Sequence, residues 1–286
     1  MSGLYRDVDH RYYVSGTLRA SEDEAYSVEV GPLVSVTTAL KALDKSNALV
    51  GWAKRTVAEI AVAKHDILGP MIEQGGAPAA VNWLKGMPDY QRDTAADLGS
   101  RVHLLAEAIN NDQPISDEDA LNPKVRQYIR FVAEWEPQFV GVEQMVVNFS
   151  EGYAGTADIW CMLPTGETLS VDTGEGIRTE HALELWLIDI KTSNLTRGPY
   201  DDHWLQLAGL NGGEWWGRPD KEELEPAQHA QRFGILQLAD NDYTLWEGKV
   251  GAAEYDAFVH VLHTHKWLNG PLKDVKVGKV KRERAA

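Results

Sequence analysis

Asp189 and Lys191 stand two apart near the end of the run LWLIDIKTSN, Leu185 to Asn194. Its bulky apolar residues suit a strand buried on both faces. Residues two apart in a strand point to the same side, so the acid and the amine are neighbours. Asp158, in GYAGTADIW, is a second acid in an otherwise apolar, strand-like run. A buried carboxylate is costly unless it is paired or bound to a metal. Two carboxylates held together without a cation repel, and one protonates. A hard divalent cation resolves the conflict, and Mg²⁺ prefers a few carboxylates with water and a substrate phosphate. Lys191 would then stand beside the cation, placed to orient or deprotonate an attacking water or to offset phosphate charge. That set fits metal-assisted phosphodiester hydrolysis. An Asp-x-Lys triplet alone is more often an edge-strand ion pair; the Gly-x-x-Asp strand before it and the apolar context of both narrow the choice.

Elements must carry these groups to one place. HRYYVSGTLRASEDEAYSVEVGPLVSVTTAL alternates and turns, predicting short strands that feed a helix. DKSNALVGWAKRTVAEIAVAKHDIL has a helical period, with Leu49, Trp52, Val57, Ile60 and Val62 as its apolar positions. APAAVNWLKGM predicts another helix. DTAADLGSRVHLLAEAIN predicts a separate one, capped by Asp93 or Thr94. NPKVRQYIRFVAEWEP is a further helix with Val125, Tyr128, Ile129 and Val132 on one face. From Gln138 the texture turns to β: FVGVEQMVVNF, YAGTADIWCML and LELWLIDIKTS predict three strands. The polar, acidic interval 164–184 predicts an extended hairpin loop or insertion, with Asp172 as loop. YDDHWLQLAGLNGGEWW returns to helix, AQRFGILQLADNDYTLWEGKV predicts two strands joined at Asn241–Asp242, and EYDAFVHVLHTHKWL closes as a helix. The expected class is α/β: a mixed central β-sheet flanked by helices, behind an α-rich N-terminal region. The expected division is a strand and helix region over 1–95 packing on the core, a core over 96–270, and a basic tail over 271–286.

The chain has 286 residues, 43% of them hydrophobic, enough for a sizeable core. No apolar run approaches the roughly 18 residues that span a bilayer, so no membrane partner is expected. MSGLYRDVDHRYYV lacks the apolar stretch of a signal peptide, and the expected location is cytoplasmic. The single cysteine, Cys161, excludes an internal disulfide and any Cys-ligated zinc or iron–sulfur site within one chain. A net charge of −15 argues against a nonspecific DNA coat protein. It leaves room for an enzyme that guides a phosphate backbone along a small basic track. The basic end, LKDVKVGKVKRERAA, is a solvated tail or a phosphate contact.

Four segments together resemble the PD-(D/E)XK nucleases, in their RecB-like exonuclease branch. Gly99 and His103 in LGSRVHLLAEAI match a Gly-x-x-x-His helix whose His is a metal ligand. GYAGTADIW matches the Gly-x-x-Asp strand that supplies Asp158, and LIDIKTS the Asp/Glu-x-Lys strand that supplies Asp189 and Lys191. HWLQLAGL matches the start of a Gln-x-x-x-Tyr helix, giving Gln206 and placing Leu210 where the family has Tyr. The order and spacing fit over residues 98–210. VSVTTAL and LVGWAK add a weaker likeness to phage-encoded members. The resemblance implies a restriction-endonuclease-like core and one or two Mg²⁺ or Mn²⁺ ions held by His103, Asp158, Asp189 and the Ile190 carbonyl. The imidazole of His103 suits Mn²⁺ better than Mg²⁺. It implies a metal-dependent DNA exonuclease acting on linear duplex or single-strand ends, in phage-type recombination or repair beside a single-strand-annealing protein. A catalytically decayed DNA-binding module and a structure-specific endonuclease are the alternatives.

Further residues border this set. Glu143, on the strand before Asp158, can contact a second metal, a water or a base. Glu107 lies one helical turn beyond His103 and can orient it. Thr192, Ser193 and Gln206 are expected along the phosphate track. His260 and His263 share a helix face that His265 does not, and a zinc site there is not expected. Trp204, Trp215 and Trp216 fit core packing, with base stacking as the other reading.

Overall fold

The computed structural model describes residues 3–7, 9, 11–19, 25–172, 177–194, 198–218 and 223–270; the basic end lies outside them. Among the described residues, ten strands form one mixed sheet. In chain order they are β1 (Gly3–Arg6), β2 (Tyr12–Arg19), β3 (Ala25–Ser35), β4 (Gln138–Asn148), β5 (Tyr153–Asp172), β6 (Ile177–Thr192), β7 (Trp215–Gly217), β8 (Glu223–Pro226), β9 (Arg232–Leu238) and β10 (Tyr243–Gly248). Their spatial order is β1-β2-β8-β7-β4-β5-β6-β9-β10, with β3 paired to β2 and β5. The helices are α1 (Val36–Ala39), α2 (Ser46–Ala63), α3 (His65–Asn110), α4 (Asp117–Ala120), α5 (Pro123–Trp135), α6 (Asp201–Asn211) and α7 (Ala252–Asn269). This is the expected mixed sheet flanked by helices. No helix among the described residues is long and apolar enough to cross a membrane.

The central strands are buried on both faces, as their composition dictates. Leu185 and Leu187 of β6 join Trp160, Leu207, Leu210 and Phe258 in the core under α6 and α7. Trp186, Ile188 and Ile190 alternate to the opposite face, against Val102 and Ala106 of α3 and Val125, Tyr128 and Phe131 of α5. Period-2 alternation thus seals a helix layer onto each side of one strand. Asparagine at 122 accepts from the Lys124 amide and Pro123 opens α5, a strong start signal.

Several expectations are corrected. No new helix begins at Asp93 or Thr94: α3 runs through them, and the Thr94 hydroxyl donates to the Tyr90 carbonyl at 2.8 Å instead of capping. The break within α3 falls at Gly76, whose φ of 75° suits glycine. The apolar stripe of α2 is not buried: Leu49 is 57% and Val62 76% exposed. Ile129 likewise faces out of α5, while Phe131 takes the buried place. The 164–184 interval is largely strand, with Asp172 pairing to Ile177 at the far end of a long β5–β6 hairpin. Strands β7 and β8 carried too few residues to signal themselves; Trp215 and Trp216 lie on β7 and not on the helix before it.

Candidate metal centre

Where β5 changes neighbours, the sheet opens. Its start pairs with β3, at Val34↔Tyr153 and Ser35↔Ala154. Its ladder with β6 runs down only to Ile159↔Ile188. Asp158 and Ile190 therefore sit at a fork, where the β6 ladder with β9 continues but β6 loses its β5 partner. The side chains replace it: the Ile190 N–H donates to Asp158 Oδ2 at 2.6 Å, and the Ile190 carbonyl accepts from His103 Nε2 at 3.1 Å. The other ring nitrogen of His103 lies 3.4 Å from Asp158 Oδ1.

His103 arrives from α3 on one face of the sheet. A Cβ on Gly99, one turn earlier, would lie 3.2 Å from the Thr192 hydroxyl, so the glycine lets α3 press against the end of β6. Gly155 plays the same part on the other face. A Cβ there would meet Leu210 at 2.7 Å and Val36 at 2.9 Å, so its absence seats α6 close to β5. Leu210, at the Tyr position of the resembled motif, is thus core, only 2% exposed.

Glu143 completes a donor group. It lies on β4 between the pairs Val142↔Ile159 and Gln144↔Ala157, which sets it across from Asp158. Ligand atoms of His103, Glu143 and Asp158 lie within 4.8 Å of one another. Glu143 has a φ of 46°, a left-handed backbone that costs a residue with a side chain about 1–3 kcal/mol and clusters at functional sites.

Asp189 follows Leu187 on the face of α6 and is 2% exposed. Its Oδ2 lies 2.6 Å from Lys191 Nζ, and its Oδ1 accepts from Gln206 Nε2 at 2.6 Å. Gln206 Oε1 lies 3.4 Å from the same ammonium, so one amide holds both members of the pair. The structure therefore places His103, Glu143, Asp158 and the Ile190 carbonyl in one group. Asp189, Lys191 and Gln206 form another, joined to it through the single residue Ile190. Thr192 and Ser193 continue β6 beyond, Thr192 beneath Gly99 and Ser193 N–H bonded to the Leu238 carbonyl at 3.2 Å.

The electrostatics reflect this crowding. The charge of Asp158 dominates His103 and lifts it to about 9, against the opposing effect of burial. Both ring nitrogens face acceptors, a setting that favours the protonated ring. Burial works to raise Asp158, but the charge and hydrogen bond of His103, the charge of Lys191 and the Ile190 amide hold it below the usual range. Asp189 moves up, through burial and then the nearby Asp158, despite Lys191. Burial, followed by Asp158, raises Glu143 to about 7. Burial disfavours the Lys191 ammonium, yet Asp189 and Asp158 outweigh it and keep the lysine charged. An acid-rich set in which two carboxyls, Asp189 and Glu143, are pushed up beside a charged lysine is what a cation would relieve. One imidazole, carboxylates and a hard carbonyl oxygen form a donor set suited to Mn²⁺ or Mg²⁺.

Sequence reasoning missed the residues that open the site to solvent on the α6 side. A cleft of about 460 Å³ is lined by Thr37, Lys41, Lys45, Leu49, Lys191 and His203, among others. Lys45 pairs with Asp202 at its rim. Burial and the Lys191 charge push His203 down to about 4. The signal available was the i, i+4 spacing of Asp202 and Gln206 on α6, which puts both on the face toward Lys191. His263 pairs with Glu151 at 2.8 Å and His260 bonds the Asp256 carbonyl of its own helix, so neither joins the site. Trp216 is buried, and Trp204 and Trp215 are partly buried against the cores.

No protein-family model matches this chain, and no curated protein matches it. Among solved structures, the crystal structure of SSO0001 is similar with a TM-score of 0.34 at 15% identity, over 84% of this chain and 78% of that one. A similarity that low carries no argument about the site.

Proposed function

We propose that this chain is a divalent-metal-dependent deoxyribonuclease of the PD-(D/E)XK kind, an exonuclease at DNA ends. One observation carries the reading: the fork between β5 and β6 gathers His103, Asp158 and the Ile190 carbonyl, with Lys191 and Asp189 beside them on the same strand. His103, Glu143, Asp158 and the Ile190 carbonyl are the groups that would hold Mn²⁺ or Mg²⁺, with Asp189 adjoining. When bound, the metal supplies a Lewis acid for the phosphoryl oxygen and eases ionisation of the attacking water.

The chain's own residues do the rest. Lys191, kept as an ammonium by Asp189, orients the nucleophile and offsets charge that builds on the phosphate. Gln206 positions that ammonium and the Asp189 carboxylate at once. The Asp158–Ile190 hydrogen bond anchors this stretch of β6, and His103 holds the Ile190 carbonyl. Lys41 and Lys45 line the open cleft beside Lys191 and suit the phosphates of an incoming strand against a body of net charge −15. Recombination or repair, alongside a single-strand-annealing protein, is the role that the sequence resemblance suggests.

The test is digestion of DNA with Mg²⁺ or Mn²⁺. The parent should degrade linear duplex and spare closed circles, and Asp189→Ala and Lys191→Ala should abolish the activity. Variants as fast as the parent sink the nuclease reading; cutting of closed circles replaces the exonuclease with an endonuclease.

A further inference from the structure

A second cleft opens on the other side of the donor group. It encloses about 710 Å³ and has Glu143 in its wall, so it reaches the candidate metal centre directly. That volume falls within the roughly 300–1,000 Å³ of small-molecule sites. Tyr5, Arg6, Asn110, Asn111, Thr156 and Arg218 line it. Four separate parts of the chain supply them: β1, the end of α3, β5 and the residue after β7.

These groups are placed as donors. Neither Arg6 nor Arg218 forms an ion pair with a carboxylate among the described residues, although Arg6 is near enough that its charge is felt at Glu143. The Tyr128 hydroxyl donates to Asn110 Oδ1 at 2.6 Å. The Asn110 amide nitrogen has no acceptor among the described residues and is left to donate. Tyr5 brings an aromatic wall, stacked on Tyr13 with ring centroids 5.5 Å apart. The edge of this wall is tied to the centre, because the Tyr12 hydroxyl and Thr156 Oγ1 are 2.8 Å apart, two residues before Asp158. Two guanidiniums, a donating amide and a flat ring at one mouth call for an anion that carries a planar group. On a chain of net charge −15, two arginines that pair with no carboxylate among the described residues stand out beside two glutamates.

We infer that this cleft binds a nucleoside monophosphate, the unit cut from a DNA end, with the phosphate at Arg6 and Arg218 and the base beside Tyr5. The inference rests on the nuclease reading for the origin of the ligand. Guanidinium pairs bind phosphate in a bidentate manner, which lysine does not reproduce. The lysine-lined cleft beside Lys191 then takes the strand, and this one takes the detached nucleotide.

The experiment is titration of the full chain, in chelator and without metal, with 2′-deoxyadenosine 5′-monophosphate, its 3′-monophosphate and deoxyadenosine. The parent should bind one monophosphate more tightly than the nucleoside, and which one tells which side of the phosphate is cut. Arg6→Gln with Arg218→Gln should weaken that monophosphate at least tenfold and leave the nucleoside and the melting temperature unchanged. Both arginines are exposed, so the fold does not depend on them. Equal monophosphate binding by parent and variant overturns the inference, as does a parent that binds neither monophosphate. Digestion of linear duplex by the same parent is read in parallel; its absence strikes the nuclease reading and leaves the binding result intact.

Discussion

Asp158 Oδ2 accepts the Ile190 N–H at 2.6 Å, so a side chain takes the place of a strand. Breaking this contact exposes two costs at once: an unpaired buried amide and an imidazolium without its counter-charge. Asp158→Ala should therefore weaken Mn²⁺ binding by at least ~10-fold, the scale seen when groups around a metal are removed. Calorimetric titration checks this, and an unchanged affinity would remove Asp158 from the ligand set.

Gly99→Ala separates positioning from stability. The new methyl meets the Thr192 hydroxyl at 3.2 Å, while helix propensity favours alanine by up to about 1 kcal/mol. Melting should thus change little as α3 shifts outward and His103 leaves the Ile190 carbonyl. DNA digestion should fall severalfold or more. A variant as active as the parent shows that His103 does not need this close approach.

Gln206→Leu tests the clamp. Asp189 Oδ1 and Lys191 would each lose a partner at a buried site, which costs about 1–3 kcal/mol per unsatisfied group. Turnover should drop more than apparent substrate affinity does, because the residue holds reacting groups and not the strand. A change confined to KM would assign Gln206 to DNA contact instead.

Proton release follows from His103. Its position near 9 lies above the ordinary 6.5, so the contact with Asp158 adds stability that is full below about 6.5 and fades as pH rises through about 9. A metal needs the neutral ring. Binding of Mn²⁺ at about pH 7.5 should then release about one proton, and affinity should climb with pH up to about 9. Titrations in buffers of different ionisation enthalpy measure the release, and His103→Asn should reduce it.

Leu210→Tyr asks whether the missing hydroxyl matters. Leu210 fills the space over Gly155, so a larger ring overpacks the core by about 1–3 kcal/mol. The denaturation midpoint should fall, with no gain in DNA digestion. A gain would mean that the position faces substrate.

By itself, the sequence determined the central strands, because a short apolar run such as LWLI between polar segments suits burial on both faces of a sheet. It also determined that Asp189 and Lys191 are neighbours, since alternation is local geometry. Asp93 and Thr94 misled because a cap signal is weak against a helix already propagating, and α2 misled because an apolar stripe does not say what will cover it. Only the tertiary structure decided that β5 and β6 part at Asp158, since the partner exchange from β3 to β6 joins segments far apart in sequence. That fork freed the Ile190 carbonyl, drew Glu143 into the donor group and left Asp189 to Lys191 and Gln206. Distances between strands, helices and the backbone they leave unpaired are properties of packing, and no spacing along the chain encodes them.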